Sequence, residues 1–261
     1  VEEAIPKKAY HLWLKRYVRF GLQRVAGGRL IEKPIGNMRT DELQKLLGHI
    51  MLRRSKEQVL DLPEKVVEYI TVDIPARWRK EAQDIFEKLK KDGYKLRFSP
   101  HIQHVLQEYG LAKVKPAVGI ITDSVQDRGP VVVWAVHHSV IDALVYELQK
   151  KGLSVVKADG RDSDKVKEKA VEDFQQGRYD VFVAGLTAMN TGYTLTRSNT
   201  AIFVQTTFTP SDMRQAEDRI YRIGQTTDVL VWYLVGDNGE EHVLRSWRRK
   251  EMGQKEILDK G

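Results

Sequence analysis

Apolar residues gather in short, nearly continuous runs through the second half of the chain. They occupy Val131 to Val136, Tyr179 to Ala184, Ala201 to Gln205 and Val229 to Val235, with a weaker run at Leu153 to Val156. Each is rich in Val, Ile or aromatic residues and none alternates strictly with polar ones, the pattern of strands buried on both faces. Between the runs the period changes. Val140, Ile141, Leu144, Val145 and Leu148 fall on one face of a helix, as do Val166, Ala170, Val171 and Phe174 behind Ser163, a helix-capping residue type. Thr209-Pro210 offers a cap and a first-turn proline to another helix. Strand and helix alternate, so the simplest architecture is α/β, a parallel sheet covered by helices on both faces. Ligands of such sheets collect at the carboxyl ends of the strands, where the loop after Ala184 and the helix from Pro210 are expected.

The first half is patterned differently. Residues 1–75 are basic and mixed, punctuated at Gly27-Gly28 and Gly36-Asn37, with a short helix predicted from Asp41 to His49 and a strand from Val66 to Ile74. Residues 76–128 read as mostly helical, with Ile85, Leu89, Ile102, Val105, Leu106 and Leu111 supplying apolar faces between Lys-rich stretches. At the end, Glu240-Glu241 followed by Arg245, Arg248, Arg249 and Lys250 suits a helix with an acidic start and a basic finish.

Composition narrows the chemistry. With no cysteine among 261 residues, disulfides and thiolate metal sites are excluded. The His residues show no metal-ligand spacing, and His137-His138, as neighbours, point to opposite sides. No apolar run approaches the roughly 18 residues of a membrane span. The start, Val1-Glu2-Glu3, lacks both Met and the apolar core of a signal peptide, so a piece of a longer intracellular protein is expected. A net charge of +7 is compatible with a polyanionic partner without requiring one. There is no Gly-x-x-x-x-Gly-Lys-Ser/Thr loop, and Asp41-Glu42 follows polar residues rather than a strand, so it reads as a helix start and not as a Mg-binding box.

The densest chemistry lies in Gln215-Ala216-Glu217-Asp218-Arg219-Ile220-Tyr221-Arg222-Ile223-Gly224-Gln225. As a helix, this run places Gln215, Arg219 and Arg222 on one face and Met213, Ala216, Ile220 and Ile223 on another, inward one. Neighbouring guanidiniums repel mildly, and Arg suits a phosphate set between them. Spacing alone leaves open a solvated charged face held by Glu217 and Asp218.

The same run resembles motif VI of the Swi/Snf-type superfamily 2 helicases, Gln-Ala-x-Asp-Arg-x-x-Arg-Ile-Gly-Gln. Other segments are similar at matching spacing. Asp159-Gly160, Ser163 and Phe174 resemble the segment after motif IV; Thr187, Asn190, Gly192, Thr194 and Leu195 fall at motif V; Phe208 and Pro210 take the aromatic and proline places of the Trp-Asn-Pro turn. Upstream, Met51 to Arg54, Lys56, Val59-Leu60, Leu62-Pro63 and Lys65 resemble the connector between the two motor lobes. Gly185-Leu186-Thr187-Ala188-Met189-Asn190 departs from the usual Ser-Thr-Arg-Ala-Gly-Gly and is more similar to the annealing-helicase, fork-remodelling branch.

The resemblance implies a RecA-like fold and a division into 1–75 (tail of lobe 1 and connector), 76–128 (a helical insertion), 129–236 (the C-terminal lobe) and 237–261 (a brace helix carrying Trp247 as a packing anchor). It implies an ATP-dependent DNA translocase whose ATP and Mg2+ are bound mainly by an N-terminal lobe outside this chain, so that the chain alone is inactive. Arg222 becomes the arginine finger with Arg219 its partner, both catalytic; Gln215, Arg219, Arg222 and Gly192 contact nucleotide. Thr187, Asn190 and Thr194, with His137 and Ser139 as a second group, contact duplex or forked DNA without sequence preference. Gly192 is expected to need a positive φ or to permit close approach, and Arg53 and Arg54 to brace the lobes. Two other readings stand beside this one: a non-enzymatic nucleic-acid or protein-binding module with a RecA-like fold, and an unrelated doubly wound nucleotide enzyme.

Overall fold

The apolar runs of the second half do become neighbouring strands, because residues with side chains on both faces of a sheet need a helix layer on each side. The computed structural model describes residues 10–24, 30–48, 62–78, 80, 81, 83, 84, 100–189, 192–207 and 210–236. The chain divides into two compact units, residues 1–59 with 248–261, and residues 60–247. In the smaller unit, α1 (Tyr10–Tyr17) leads into an antiparallel hairpin of β1 (Val18–Arg24) and β2 (Leu30–Asn37), followed by α2 (Thr40–Gly48). The hairpin was not foreseen; Pro34 and glycines at 21 and 36 interrupt any alternating pattern. Glu42 ties α2 to α1 by accepting from Arg16 Nε at 2.8 Å and from the Tyr17 hydroxyl at 3.0 Å.

The larger unit holds β3 (Lys65–Val72), α3 (Pro100–Arg128), β4 (Val131–Ala135), α4 (His138–Lys150), β5 (Val155–Ala158), α5 (Asp164–Gln175), β6 (Val181–Gly185), β7 (Thr200–Phe203), α6 (Pro210–Ile220) and β8 (Val229–Gly236). Its six strands form one wholly parallel sheet in the order β3-β8-β7-β4-β6-β5. Predicted strand bounds shift by a residue or two. The run at Leu153 becomes β5 two residues later, because Ser154 bonds the Asp180 carboxylate through both its amide (2.9 Å) and its hydroxyl (2.6 Å) instead of joining the ladder. The strand predicted to Ile74 ends at Val72, where Asp73, Ile74 and Pro75 leave the sheet.

Side-chain alternation sorts the core into two layers. Val131, Val133, Val181, Val183 and Ile202 face α3 and α4; Val132, Trp134, Phe182, Ala201, Phe203 and Tyr233 face α5 and α6. On the second face Tyr69, Tyr233, Phe203 and Trp134 form an aromatic ladder across four adjacent strands, with centroids 5.3, 4.6 and 6.0 Å apart. Two elements from outside the expected 129–236 lobe take part in this core. β3 comes from the stretch resembling the connector, and α3, 29 residues long, buries Tyr109, Val114, Ala117, Val118 and Ile121 against the sheet.

Candidate functional site

The arginine-bearing run is helical only to Ile220. Gly224, at φ +100°, then turns the chain, and Gln225 N bonds back to Arg222 O at 3.0 Å. Glycine suits this left-handed position because it has no Cβ to clash. Met213, Ala216 and Ile220 are buried as expected, but Ile223 is 70% exposed: it lies in the turn and has left the helical register. Glu217, for which spacing had left a solvated face open, is only 4% exposed.

The two arginines also part company. Arg219 is 8% exposed, whereas Arg222 is exposed and donates to Gly192 O and to Thr194 Oγ1, each at 3.3 Å. Arg219's pKa is pushed down, first by burial and then by the like charge of Arg222, with Asp218 opposing; a guanidinium stays protonated regardless. A shared exposed face for Gln215, Arg219 and Arg222 is therefore not what forms, since the last of these lies beyond the helix end.

The carbonyls orphaned at that helix end are satisfied by motif V and by Gln225. Leu195 N donates to Arg219 O at 2.9 Å. Gln225 Nε2 donates to Ser198 O (2.9 Å) and reaches Thr196 O and Ile220 O at 3.3 Å. Ser198 in turn donates to Pro130 O at 2.8 Å, just before β4. These bonds set Gln225 and the turn holding Arg222 at the amino ends of β4 and β7. The loop after β6 and the start of α6 lie at the carboxyl ends, where the loop after Ala184 and the helix from Pro210 were expected. A helix following a parallel strand runs back along the sheet, so residues at its end reach the opposite rim.

Thr187 is exposed in the turn after β6. Among the described residues, no positive φ is found at Gly192 and no atom lies within 4 Å of where its Cβ would stand, so none of them requires glycine there. Asn190 lies outside the described residues, as do Phe208, Thr209, Arg53, Arg54 and Trp247.

His137 and Ser139, the second candidate group, are engaged by α3 and by Gln205. Gln205 Oε1 accepts the amides of Val136 and His137 at 3.0 Å each, which fixes its amide group, so Nε2 donates to His137 Nδ1 (2.9 Å) and to Leu106 O (3.2 Å). His137 is thus the Nε2–H tautomer, facing Gln103 Oε1 at 3.3 Å. Ser139 Oγ accepts from Gln107 Nε2 at 2.9 Å. Ser163 precedes α5 in extended geometry, but its side chain makes no capping bond; its carbonyl accepts from Lys167 N at 3.0 Å.

Asp159, fully buried after β5, anchors a charged cluster that sequence reading did not single out beyond Asp159-Gly160. It accepts from Arg161 Nε (3.0 Å) and from Lys157 Nζ (3.1 Å), while Arg161 also grips Asp142 through two bonds of 2.8 and 2.6 Å. Arg161 holds the Asp159 carboxyl far below the usual carboxylate range, and the Asp142 carboxyl below it too. Among the described residues there is no metal-binding cluster and no helix long and apolar enough to cross a membrane.

A parallel sheet between helix layers, with an arginine-bearing turn bonded to the return segment before β7, defines a RecA-like helicase C-terminal lobe. Residues 112–224 match the helicase conserved C-terminal domain. The crystal structure of the C-terminal part of the Fun30 ATPase domain has the same fold, with a TM-score of 0.59 at 16% identity over 75% of this chain and 97% of that one. The chain is 29% identical over 83% of its length to the SWI/SNF-related matrix-associated actin-dependent regulator of chromatin subfamily A-like protein 1 homolog of Caenorhabditis elegans, and 31% identical over 80% to that regulator in Xenopus tropicalis. It is 29% identical over 77% to the DNA annealing helicase and endonuclease ZRANB3 of Homo sapiens. Residues 112–224 are thus a helicase conserved C-terminal domain, and the chain is similar to the C-terminal lobe of Swi/Snf-type superfamily 2 helicases. It spans 33%, 23% and 20% of the length of these three relatives.

Proposed function

We propose that this chain is the second motor lobe of an intracellular, ATP-dependent DNA translocase, and that Arg222 is its arginine finger. The observation that carries the reading is Arg222 itself: an exposed guanidinium at a turn that Gly224 permits and Gln225 ties back, beside the buried charge of Arg219. Exposed and held by two long bonds, it is able to leave Gly192 and Thr194 for a stronger anionic acceptor. The residues present fit a phosphate as donors of charge and not as its cradle, since no phosphate loop occurs in the sequence. ATP with Mg2+, held mainly by an N-terminal lobe, supplies the transferable phosphoryl group. Arg222 meets charge developing on its oxygens, Arg219 keeps that turn electropositive from behind, and Gln215 is exposed on α6, which leads into it. A finger contributed from the facing lobe acts only on closure, which couples chemistry to movement.

Thr187, Asn190 and Thr194 are proposed to follow the DNA backbone, with Gly192 admitting a phosphate where it leaves open space. His137 and Ser139 are a second DNA group, working from a turn braced by α3. Duplex and forked DNA, bound without sequence preference, are the proposed partners.

In a chain carrying both lobes, Arg222→Ala is expected to lower DNA-stimulated ATP turnover by about 10³-fold or more while nucleotide binding persists. The 261-residue chain alone is expected to show no turnover. Undiminished turnover in the variant refutes the finger.

A further inference from the structure

Glu217 sits between Gln215 and Arg219, yet both of its oxygens are used inside the protein. Oε2 accepts from Lys65 Nζ at 2.8 Å and Oε1 from the Tyr233 hydroxyl. Lys65 opens strand β3, and its ammonium also stands 5.1 Å from the centre of the Tyr221 ring, the residue just before Arg222. One cation therefore holds both the last full turn of α6 and the first residue beyond it. Tyr69, on the same face of β3 as Lys65, stacks on Tyr233 at 5.3 Å, so the hydroxyl that meets Glu217 is braced from the same strand.

Stability alone does not call for a charge pair here, because a well-packed apolar pair of similar volume serves as well or better. A half-buried pair, with the carboxylate 6% and the lysine side chain 27% exposed, does impose register: the ammonium and carboxylate meet at only one offset of strand against helix. Resting on the reading of Arg222 as the finger only for its effect on turnover, we propose that Lys65 and Glu217 are positioning residues that set where the turn after α6 presents Arg222. Any slip of β3 against β8 is felt at Arg222 through this pair, since Lys65 is registered with Val229 at the start of β8 and bonded to the helix that ends before the turn.

The test uses Lys65→Met and Glu217→Gln, the latter keeping the shape of the side chain should the former fail to fold. In the 261-residue chain, the 15N-labelled guanidinium of Arg222 and the amides of Gly192 and Thr194 report the position of the turn. Both variants are expected to shift or broaden these signals, and Lys65→Arg to restore them. A purely structural role lowers the melting temperature and leaves the Arg222 signal of the folded population in place; that outcome overturns the proposal. In a chain carrying both lobes, Lys65→Met is expected to lower kcat about 100-fold at unchanged KM for ATP. A moved Arg222 signal with unchanged kcat supports positioning and overturns the finger reading instead.

Discussion

Gln225 shows what a single motif residue contributes. Its amide nitrogen serves the carbonyls of Ser198, Thr196 and Ile220, and its Oε1 accepts from Thr226 N (3.1 Å), Thr227 N (3.3 Å) and Thr227 Oγ1 (3.1 Å). Truncation strands carbonyls in a buried place, so Gln225→Ala is expected to cost about 1–3 kcal/mol, read as a lower urea midpoint. Gln225→Glu turns an oxygen toward the Ser198 carbonyl and is expected to cost at least as much, although it keeps the side chain's length. The motif as a string was legible in the sequence, and so was the inward face of Met213, Ala216 and Ile220. What each charged residue in it does was not. Glu217 looks like helix surface in any local window; its burial comes from Lys65, 152 positions away. Ile223 keeps helical spacing on paper, and only the turn at Gly224 removes it from the core.

At the level of elements, strands were the legible part, because β4, β6 and β7 are buried at every position and their runs are unbroken. Helix α3 was legible as helical but not as core. Its buried stripe includes Gly110, Lys113 and Ser124, types that break an apolar pattern. Lys113, fully buried, donates to Leu234 O at 2.9 Å with the Tyr109 ring 5.4 Å from its ammonium. Gly110 marks a close crossing of α3: a Cβ there would overlap the Gln205 amide and stand 2.9 Å from Val140 Cγ2. Gly110→Ala gains about 0.5–1 kcal/mol in helix propensity, yet the overlap forces Gln205 or α3 to move. We expect a net loss of about 1–3 kcal/mol in thermal unfolding. Loss of protection at the Val136 and His137 amides, which Gln205 accepts, is expected in hydrogen exchange. An Ala variant as stable as the parent contradicts the crossing.

For the larger unit taken as a whole, these polar centres predict how it responds to acid. Burial, with the neighbouring His138, holds His137 below the ordinary imidazole range, and its Nδ1 is an acceptor that an imidazolium cannot keep. The unfolded chain therefore takes up this proton first. Stability from a neutral His137 is complete above about pH 6.5 and declines as pH falls from there through the folded value. Asp159 has the same sign in a lower window. Arg161 and Lys157 favour its carboxylate, so its contribution is complete above about pH 3.9 and is lost only as pH falls further. Urea midpoints taken from pH 7.5 down to pH 3 are expected to fall in two stages. His137→Gln, which cannot titrate, is expected to remove the upper stage. Asp159→Asn is expected to flatten the lower stage while weakening the fold at every pH, since Arg161 and Lys157 lose the buried negative charge and one of its two accepting oxygens. Because His137 joins β4 to α3 through Gln205, and Asp159 joins β5 to α4 through Arg161 and Asp142, the two stages report separate joints of one sheet. A single stage, or two stages surviving both substitutions, would place the acid sensitivity elsewhere.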